Sequence, residues 1–456
     1  MQRCLLLPAA ILLVACSTKT KKNPDAAASA KVVSTPAEPS SSAELSRQLA
    51  NATPFCAPGA VGTWARQFEL EGAVDVTTDG ADLPLLQVNG QQGAINLVKL
   101  DSNGSTVWSQ SFEANGRLPM PLLLATNRQG SSVVISKAAQ VEGRLVPFAA
   151  LLDGAGKVLW KREPVKSKLY WDTMAVAIDA QGKAIALGIA DSPVDLGQGP
   201  LGGHKRHAFV FKLDAQGTPV WSMALGGLID TPKIGGFSDG SVLLTGTLYD
   251  SLKVGKIQLS STSKAPFIAK LSSKGEVVFA RVLATEQPSV IHDLAVSDDG
   301  SFYLGLAFSS TLDLGSQSIH TKEARSKVIV KLDAAGEVVW SKILGPSPIE
   351  LSLAAAADQS VVVATAFRDR VTLDDRNLEG GVWSNVVTKL DRRGKVDWLY
   401  QWPGTAEASP SVAVSRCGAF VGAKFKKVYE TGQEVIHREK PVAATAAVLL
   451  HIPGRP

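Results

Sequence analysis

The stretch FVFKLDAQGTPVWSMAL at 209–225 decides the fold. It opens with apolar residues that alternate up to Leu213, the pattern of a strand with one buried face. Asp214-Ala-Gln-Gly217 follows. The Asp side chain bonds its own backbone two residues on, and Gly supplies a positive φ at no steric cost, so these four residues form a tight turn. A β-branched and aromatic run through Trp221 makes the second strand. The unit is a hairpin.

Five more segments align with it without gaps: 96–112, 149–164, 267–283, 328–344 and 386–402. Their glycines are Gly104, Gly156, Gly275, Gly336 and Gly394; with Gly217 the spacings are 52, 61, 58, 61 and 58 residues. A Leu stands four residues before each Gly. Trp108, Trp160, Trp221, Phe279, Trp340 and Trp398 stand four residues after. An aromatic at one fixed place on every hairpin is expected to pack between neighbouring sheets. A second, weaker hairpin lies between these, as in TMAVAIDAQGKAIALGIAD at 173–191 and IHDLAVSDDGSFYLGLAFSS at 291–310. Two hairpins per repeat are four strands, and a radially repeated four-stranded sheet is a propeller blade.

Six complete units end at residue 402. Beyond it, SVAVSRCGAFVGAKFKKV and VAATAAVLLHI supply three strands and no fourth. Near the other end, Trp64 followed by Ala-Arg-Gln-Phe matches Trp340 followed by Ser-Lys-Ile-Leu. The expectation is an all-β, seven-bladed β-propeller over residues 56–452. Its blades are four-stranded and antiparallel, and the last is closed by an N-terminal strand at 62–69. Closure hides the edges a linear array would expose.

The first residues read as an address. Arg3 and the apolar stretch 4–14, too short to span a bilayer, precede Leu13-Val14-Ala15-Cys16, which resembles the bacterial lipobox. That resemblance implies a signal peptide over 1–15 and a fatty-acylated (palmitate-bearing) Cys16. It also implies anchoring in the cell envelope; Ser17 after the Cys points to the outer membrane by analogy with enteric bacteria. Residues 16–55, rich in Ser, Ala, Pro and Lys, cannot bury a core and are expected to be a disordered tether. Two cysteines remain. Cys56 enters the last blade near one turn, and Cys417 sits in another turn on the same side. They are expected to form a disulfide in an oxidising compartment, the other reading being two isolated thiols.

The repeat resembles the bacterial seven-bladed β-propeller (SBBP) repeat family, through the pattern aromatic-x-x-Lys-Leu-Asp-x-x-Gly-x-x-x-Trp. The linker STLDLGSQSI at 310–319 is also similar. Departures are Leu151 for Lys, Ser272 for Asp and Phe279 for Trp. The family implies a fold and a surface location, not a chemistry. LLDGAGKVLWKRE at 151–163 is similar, more weakly, to repeats of quinoprotein-like propellers.

The formal net charge of +5 over 456 residues is too weak to argue for nucleic acid. No Gly-x-Ser-x-Gly elbow, phosphate-binding loop or His-Glu-x-x-His occurs in the sequence, and no catalytic residue, cofactor or metal is expected. His204 and His207 make at most half a metal site. Counting ten residues back from Gly182, Gly240 and the matching Ser360 gives Asp172, Asp230 and Glu350. With Asp293, beside His292, they are expected at the mouth of the central channel, as a site for a cation or amine, or as plain turn caps. Basic residues cluster in the long connections: Lys205 and Arg206; Lys322, Arg325 and Lys327; Lys424, Lys426, Lys427, Arg438 and Lys440. The expected function is a monomeric binding scaffold, anchored through its lipid, that presents this loop face to an envelope protein or polysaccharide. The other reading is an enzyme (a lyase, a hydrolase or a degenerate quinoprotein) using the mouth carboxylates.

Overall fold

The computed structural model describes residues 64–68, 75–89, 95–112, 122–136, 140–141, 144–145, 148–162, 171–346, 348–403, 410–415, 418–425, 429–431, 434–436 and 446–453. Among them every regular element is a strand. The fold is all-β and β-propeller-like, built mainly from four-stranded antiparallel sheets.

Each of the first six four-stranded sheets is two consecutive hairpins. Sheet one comprises Asp75–Thr78, Pro84–Asn89, Ile95–Leu100 and Thr106–Phe112, hydrogen-bonded in that order. Sheet two runs Leu122–Thr126, Ser132–Ser136, Ala149–Leu152, Val158–Arg162. Sheet three is Trp171–Ile178, Ala184–Ala190, His207–Leu213, Pro219–Leu225, and sheet four is Ile229–Gly236, Val242–Leu248, Ala265–Leu271, Val277–Val282. Sheet five is Val290–Val296, Phe302–Phe308, Ser326–Leu332, Val338–Gly345. Sheet six is Ser352–Ala355, Val361–Leu373, Arg376–Leu390, Val396–Pro403. Sheet seven is Ser411–Ser415, Gly418–Phe425, Ala446–Pro453 and then Trp64–Phe68, which pairs antiparallel with Ala446–Pro453, Trp64 opposite His451 and Phe68 opposite Ala447.

Burial follows strand position. The two middle strands of sheets three, four and five are buried at all seven residues, so both of their faces are covered by packing. The last strand of each is partly exposed. The core lies between sheets rather than inside one. Leu187, Trp221, Leu244 and Phe267 join sheets three and four, and Leu243 and Ile268 pack with Phe302 and Leu304 between sheets four and five. Val76, Leu86 and Leu100 of sheet one pack with Ala413, Phe420 and Leu449 of sheet seven.

Two side-chain devices repeat at these seams. The turn glycines of the six hairpins all have φ between 76° and 86°. Trp108 stacks against Gly156 of the following sheet, Trp160 against Gly217, Trp221 against Gly275, Phe279 against Gly336 and Trp340 against Gly394. Each indole also donates to the carbonyl two residues before that glycine: Trp108 to Gly154 at 3.1 Å, Trp160 to Ala215 at 2.9 Å, Trp221 to Ser273 at 3.1 Å and Trp340 to Arg392 at 3.0 Å. Phe279 has no N–H to give. There the equivalent carbonyl, Ala334, accepts from Lys270 Nζ at 3.0 Å instead.

The second device is the Lys of Lys-Leu-Asp. It is buried in sheets one, three, four and five and half-buried in sheet six, and a buried ammonium must be paired. Lys99 meets Asp79, Lys212 meets Asp179 at 2.7 Å, and Lys389 meets Asp358 at 2.8 Å, each Asp lying in or beside the first turn of the same sheet. The Lys212 ammonium approaches Asp179 Oδ2 off the hydrogen-bonding direction, so this contact is ionic, while Gly240 O accepts its directed bond at 2.7 Å. In sheet two the Lys is Leu151 and the turn residue is Asn127, whose amide donates to Asp179 O at 3.0 Å. In sheet four the turn residue is Phe237, and Lys270 lies 4.7 Å from its ring centroid. In sheet five Lys331 donates to Gln359 O of the following sheet at 3.2 Å.

The connections between second and third strands carry small hairpins of their own: Gln140–Val141 with Arg144–Leu145, Val194–Asp195 with Pro200–Leu201, Ser251–Val254 with Ile257–Ser260, and Thr311–Asp313 with Ser318–His320. The stretch 310–319, expected as a linker, is thus a hairpin with Leu312 and Ile319 buried.

Candidate functional site

The first strands of the sheets are neighbours in space, and together they line one cavity of about 380 Å³. All seven contribute: Asp75–Thr78, Leu124–Thr126, Val176–Ile178, Ile234–Gly236, Asp293–Val296, Ser352–Ala355 and Ser411–Val414. Small apolar side chains and glycine make most of the wall. Asp75 and Asp293 are the charged residues on it.

These two carboxylates belong to a ring of groups, each seven residues before the left-handed residue of its turn. That residue is Asp82 (φ 62°) for Asp75, Gly240 for Lys233, Gly300 for Asp293 and Gln359 (φ 63°) for Ser352. The ring is stitched side to side. Lys233 Nζ lies 3.3 Å from Asp293 Oδ1, and the Leu353 amide donates to Asp293 Oδ2 at 2.8 Å. The Val412 amide donates to Ser352 Oγ at 3.2 Å, and Ser411 Oγ donates to Asp75 Oδ1 at 2.9 Å. Asp75 is exposed to the cavity, with the first strands of the other sheets packed around it. Their desolvating effect, with Asp293 in the same ring, raises its carboxyl above the usual carboxylate range; the Ser411 hydrogen bond and Lys233 act against it.

Of the four carboxylates singled out from sequence, Asp293 lines this cavity and Asp172, Asp230 and Glu350 do not. Asp172 lies opposite Ile189, four residues before Val176, which is about 13 Å along an extended strand. Asp230 is held by the Tyr249 hydroxyl at 3.0 Å and by Lys264 at 3.6 Å. Glu350 is exposed, and its carbonyl accepts from Thr365 Oγ1 at 2.5 Å. Two physical reasons separate expectation from structure. Sheet six has Gln359, not Ser360, at the left-handed position, donating its amide to Ala356 O at 3.2 Å. And the first strands of sheets three, four and five carry β-bulges, at Thr173/Ala175, Asp230/Lys233 and Ile291/Asp293, which re-aim everything before them.

His207 is buried beneath Gly202, its Nδ1 2.9 Å from Lys205 O, while His204 is exposed. No group of three or more metal-ligating side chains occurs among the described residues. Arg206 pairs with Asp191 at 3.5 Å on the surface. Cys16, Cys56, Cys417, Lys426, Lys427, Arg438 and Lys440 lie outside the described residues, as does the side chain of Lys424.

No family model matches the chain, and no curated protein matches it. Among solved structures, it is similar to a protein of unknown function from Bacteroides caccae (12% identity, 70% of this chain and 93% of that one, TM-score 0.37). It is also similar to an ulvan lyase of a polysaccharide lyase family (8% identity, 78% and 93%, TM-score 0.45).

Proposed function

We propose that the chain is a seven-bladed β-propeller closed by its N-terminal strand, of the SBBP repeat kind. In this reading it is held at the cell envelope through lipidated Cys16 and serves as a binding scaffold whose loop face meets a protein or polysaccharide partner. Two features support the closed ring: the pairing of Trp64–Phe68 with Ala446–Pro453 and the core shared by sheets one and seven. The observation that carries the scaffold reading is the engagement of the mouth. Asp293 is held by Lys233 and the Leu353 amide, and Asp75 by Ser411, so the polar groups on the axis brace the first strands against one another.

Site-specific photo-crosslinking in the native envelope tests it, with the probe at Lys322 on the loop face or at Lys274 on the turn face, both exposed. The scaffold reading expects a discrete adduct from position 322 and none from 274. Equal labelling from both, or none, overturns it. A second reading, an enzyme of the hydrolase or lyase class, is favoured by one observation, the raised carboxyl of Asp75. Turnover of a polysaccharide that is abolished by Asp75→Asn would establish that reading in place of the first.

A further inference from the structure

Each first strand stands at the end of its sheet and is hydrogen-bonded along one edge only; the other edge faces the axial cavity. The turn decides which amides lie on that free edge. The Asp79 amide closes the first turn of sheet one by donating to Leu83 O, and the same bond recurs in sheets two to six. Bonded and unbonded pairs alternate along an antiparallel ladder. The residue three places before each closing residue therefore turns its N–H and C=O away from the ladder, toward the cavity. These residues are Val76, Leu124, Val176, Ile234, Leu294 and Leu353, and all six line it.

On one arc of the ring the preceding sheet caps these amides. Asp293 Oδ2 accepts from Leu353 at 2.8 Å, Ser352 Oγ from Val412 at 3.2 Å and Ser411 Oγ from Val76 at 3.4 Å. The residues at the capping place in the other four sheets are Asp75, Leu123, Ala175 and Lys233. Leu123 and Ala175 have no polar side-chain atom, and Lys233 can only donate. Asp75 instead accepts from Ser411 Oγ at 2.9 Å. The amides of Leu124, Val176, Ile234 and Leu294 thus have no side-chain cap among the described residues. They belong to four consecutive sheets, two to five, and each stands on the cavity wall with its own carbonyl beside it.

The charge on this wall is small. Lys233 matches Asp293 at 3.3 Å, which leaves Asp75 as the one carboxylate without a cation. His292, beside Asp293, adds no charge: burial and then Lys327, Lys233 and Arg325 push it down to about 4. An anion in the cavity would meet Asp75, and an ammonium would meet donors it cannot use. A hydroxyl accepts from an amide and donates to a carboxylate or carbonyl, so it suits both. The cavity's 380 Å³ is at the low end for small-ligand sites, about 300–1,000 Å³, and has room for one sugar ring rather than a chain. We propose that the axial cavity binds a neutral, hydroxyl-rich ligand, a single or terminal sugar residue, whose hydroxyls bridge the open amides of sheets two to five and the Asp75 carboxylate. This site is separate from the loop-face contact and does not depend on it.

The test is an amide NMR titration of the full chain in detergent with D-glucose, D-galactose and D-mannose. Sodium glucuronate and cyclohexylammonium chloride are the charged controls. The site expects the amide signals of Leu124, Val176, Ile234 and Leu294 to move together and saturate with at least one sugar. Ala175→Ser puts a hydroxyl where sheets six and seven have Ser352 and Ser411, so that it takes the Ile234 amide; Leu123→Ser does the same for Val176. Each should weaken sugar binding about two- to tenfold, the worth of one hydrogen bond, while the melting temperature holds or rises. No saturable shift of these amides with any of the three sugars overturns the site and leaves a cavity that holds water. Saturation by a charged control and by no sugar overturns it as well, and so does unchanged sugar affinity in both serine variants. Crosslinking from position 322 that persists after such a failure leaves the scaffold reading standing.

Discussion

Gly156 lies face to face with the indole of Trp108 from the preceding sheet, so closely that a Cβ on the glycine would come within 2.5 Å of Trp108 Cδ2. Its φ is 80°. Gly182 has nearly the same backbone, φ 75°, but an added Cβ there meets nothing nearer than Ser131 Oγ at 4.0 Å. The pair separates two costs. Gly182→Ala should lose only the left-handed penalty, about 1–2 kcal/mol. Gly156→Ala should lose that and a further 1–3 kcal/mol or so for displacing the ring. Urea unfolding midpoints of the two variants measure the difference.

The buried pair Lys212–Asp179 should behave as a matched unit. Lys212→Leu alone leaves a buried carboxylate and Asp179→Asn alone leaves a buried ammonium; each should cost about 3–5 kcal/mol. The double variant recreates what sheet two already carries, Leu151 with Asn127. It should recover most of the loss, because an Asn oxygen still accepts the turn amides that Asp179 Oδ1 now takes from Gln181 and Lys183, both at 2.9 Å. A double-mutant cycle on thermal unfolding reads the coupling.

Stability should fall in acid through His292. Its folded pKa, about 4, is depressed below the ordinary value of 6.5. The unfolded chain therefore binds the proton first, and stability present above 6.5 is lost as pH drops toward 4. The whole effect is at most about 3 kcal/mol at 1.36 kcal/mol per unit. His292→Gln should flatten the curve in that window; identical wild-type and variant slopes would show that the imidazole is not buried neutral.

Prolines at both Ala65 and Arg66 remove a ladder N–H whichever of the two residues is bonded to Leu449 or Leu450. The ring-closure reading expects a lower melting temperature and self-association in size-exclusion chromatography, because the Ala446–Pro453 edge is then bare. A monomer that melts like the parent would mean that the strand is dispensable.

A disulfide between Cys56 and Cys417 should appear as one crosslinked peptide in non-reducing mass spectrometry of the exported protein. Reduction should then lower stability by up to about 4–5 kcal/mol, the chain-entropy value for so long a loop.

The hairpins were legible because Asp-x-x-Gly is a local device: turn, register and the aromatic four residues on are all set within one short segment. The pairing of Trp64 with the far end of the chain was legible for the same reason, as one motif with no partner nearby; the strand spans Trp64–Phe68 where 62–69 was expected. The mouth was harder. Asp75 escaped because Asp82 occupies the position where sheets two to five have Gly, so no glycine marks its turn. Counting ten residues back from the turns fails because a bulge adds a residue to three of the first strands, and no composition signal announces Thr231 at φ 48°. Counting seven back, within the unbulged part, lands on Asp75, Lys233, Asp293 and Ser352 together. His292 was noticed for its neighbour Asp293; its cationic surroundings come from sheets that only the three-dimensional fold brings together.

The five aromatic-on-Gly contacts among the described residues, from sheet one to sheet six, all point one way: each aromatic packs on the turn glycine of the sheet that follows. Such an interface is head-to-tail, and head-to-tail contacts either complete a circle or continue without limit. If the sheets close into a ring as proposed, a chain cut short by one sheet would carry an unsatisfied aromatic at one end and a bare glycine turn at the other. Each end fits the opposite end of another molecule. On the closed-ring reading, premature termination or proteolytic loss of a single sheet is therefore expected to leave a molecule prone to end-to-end association rather than a smaller monomer.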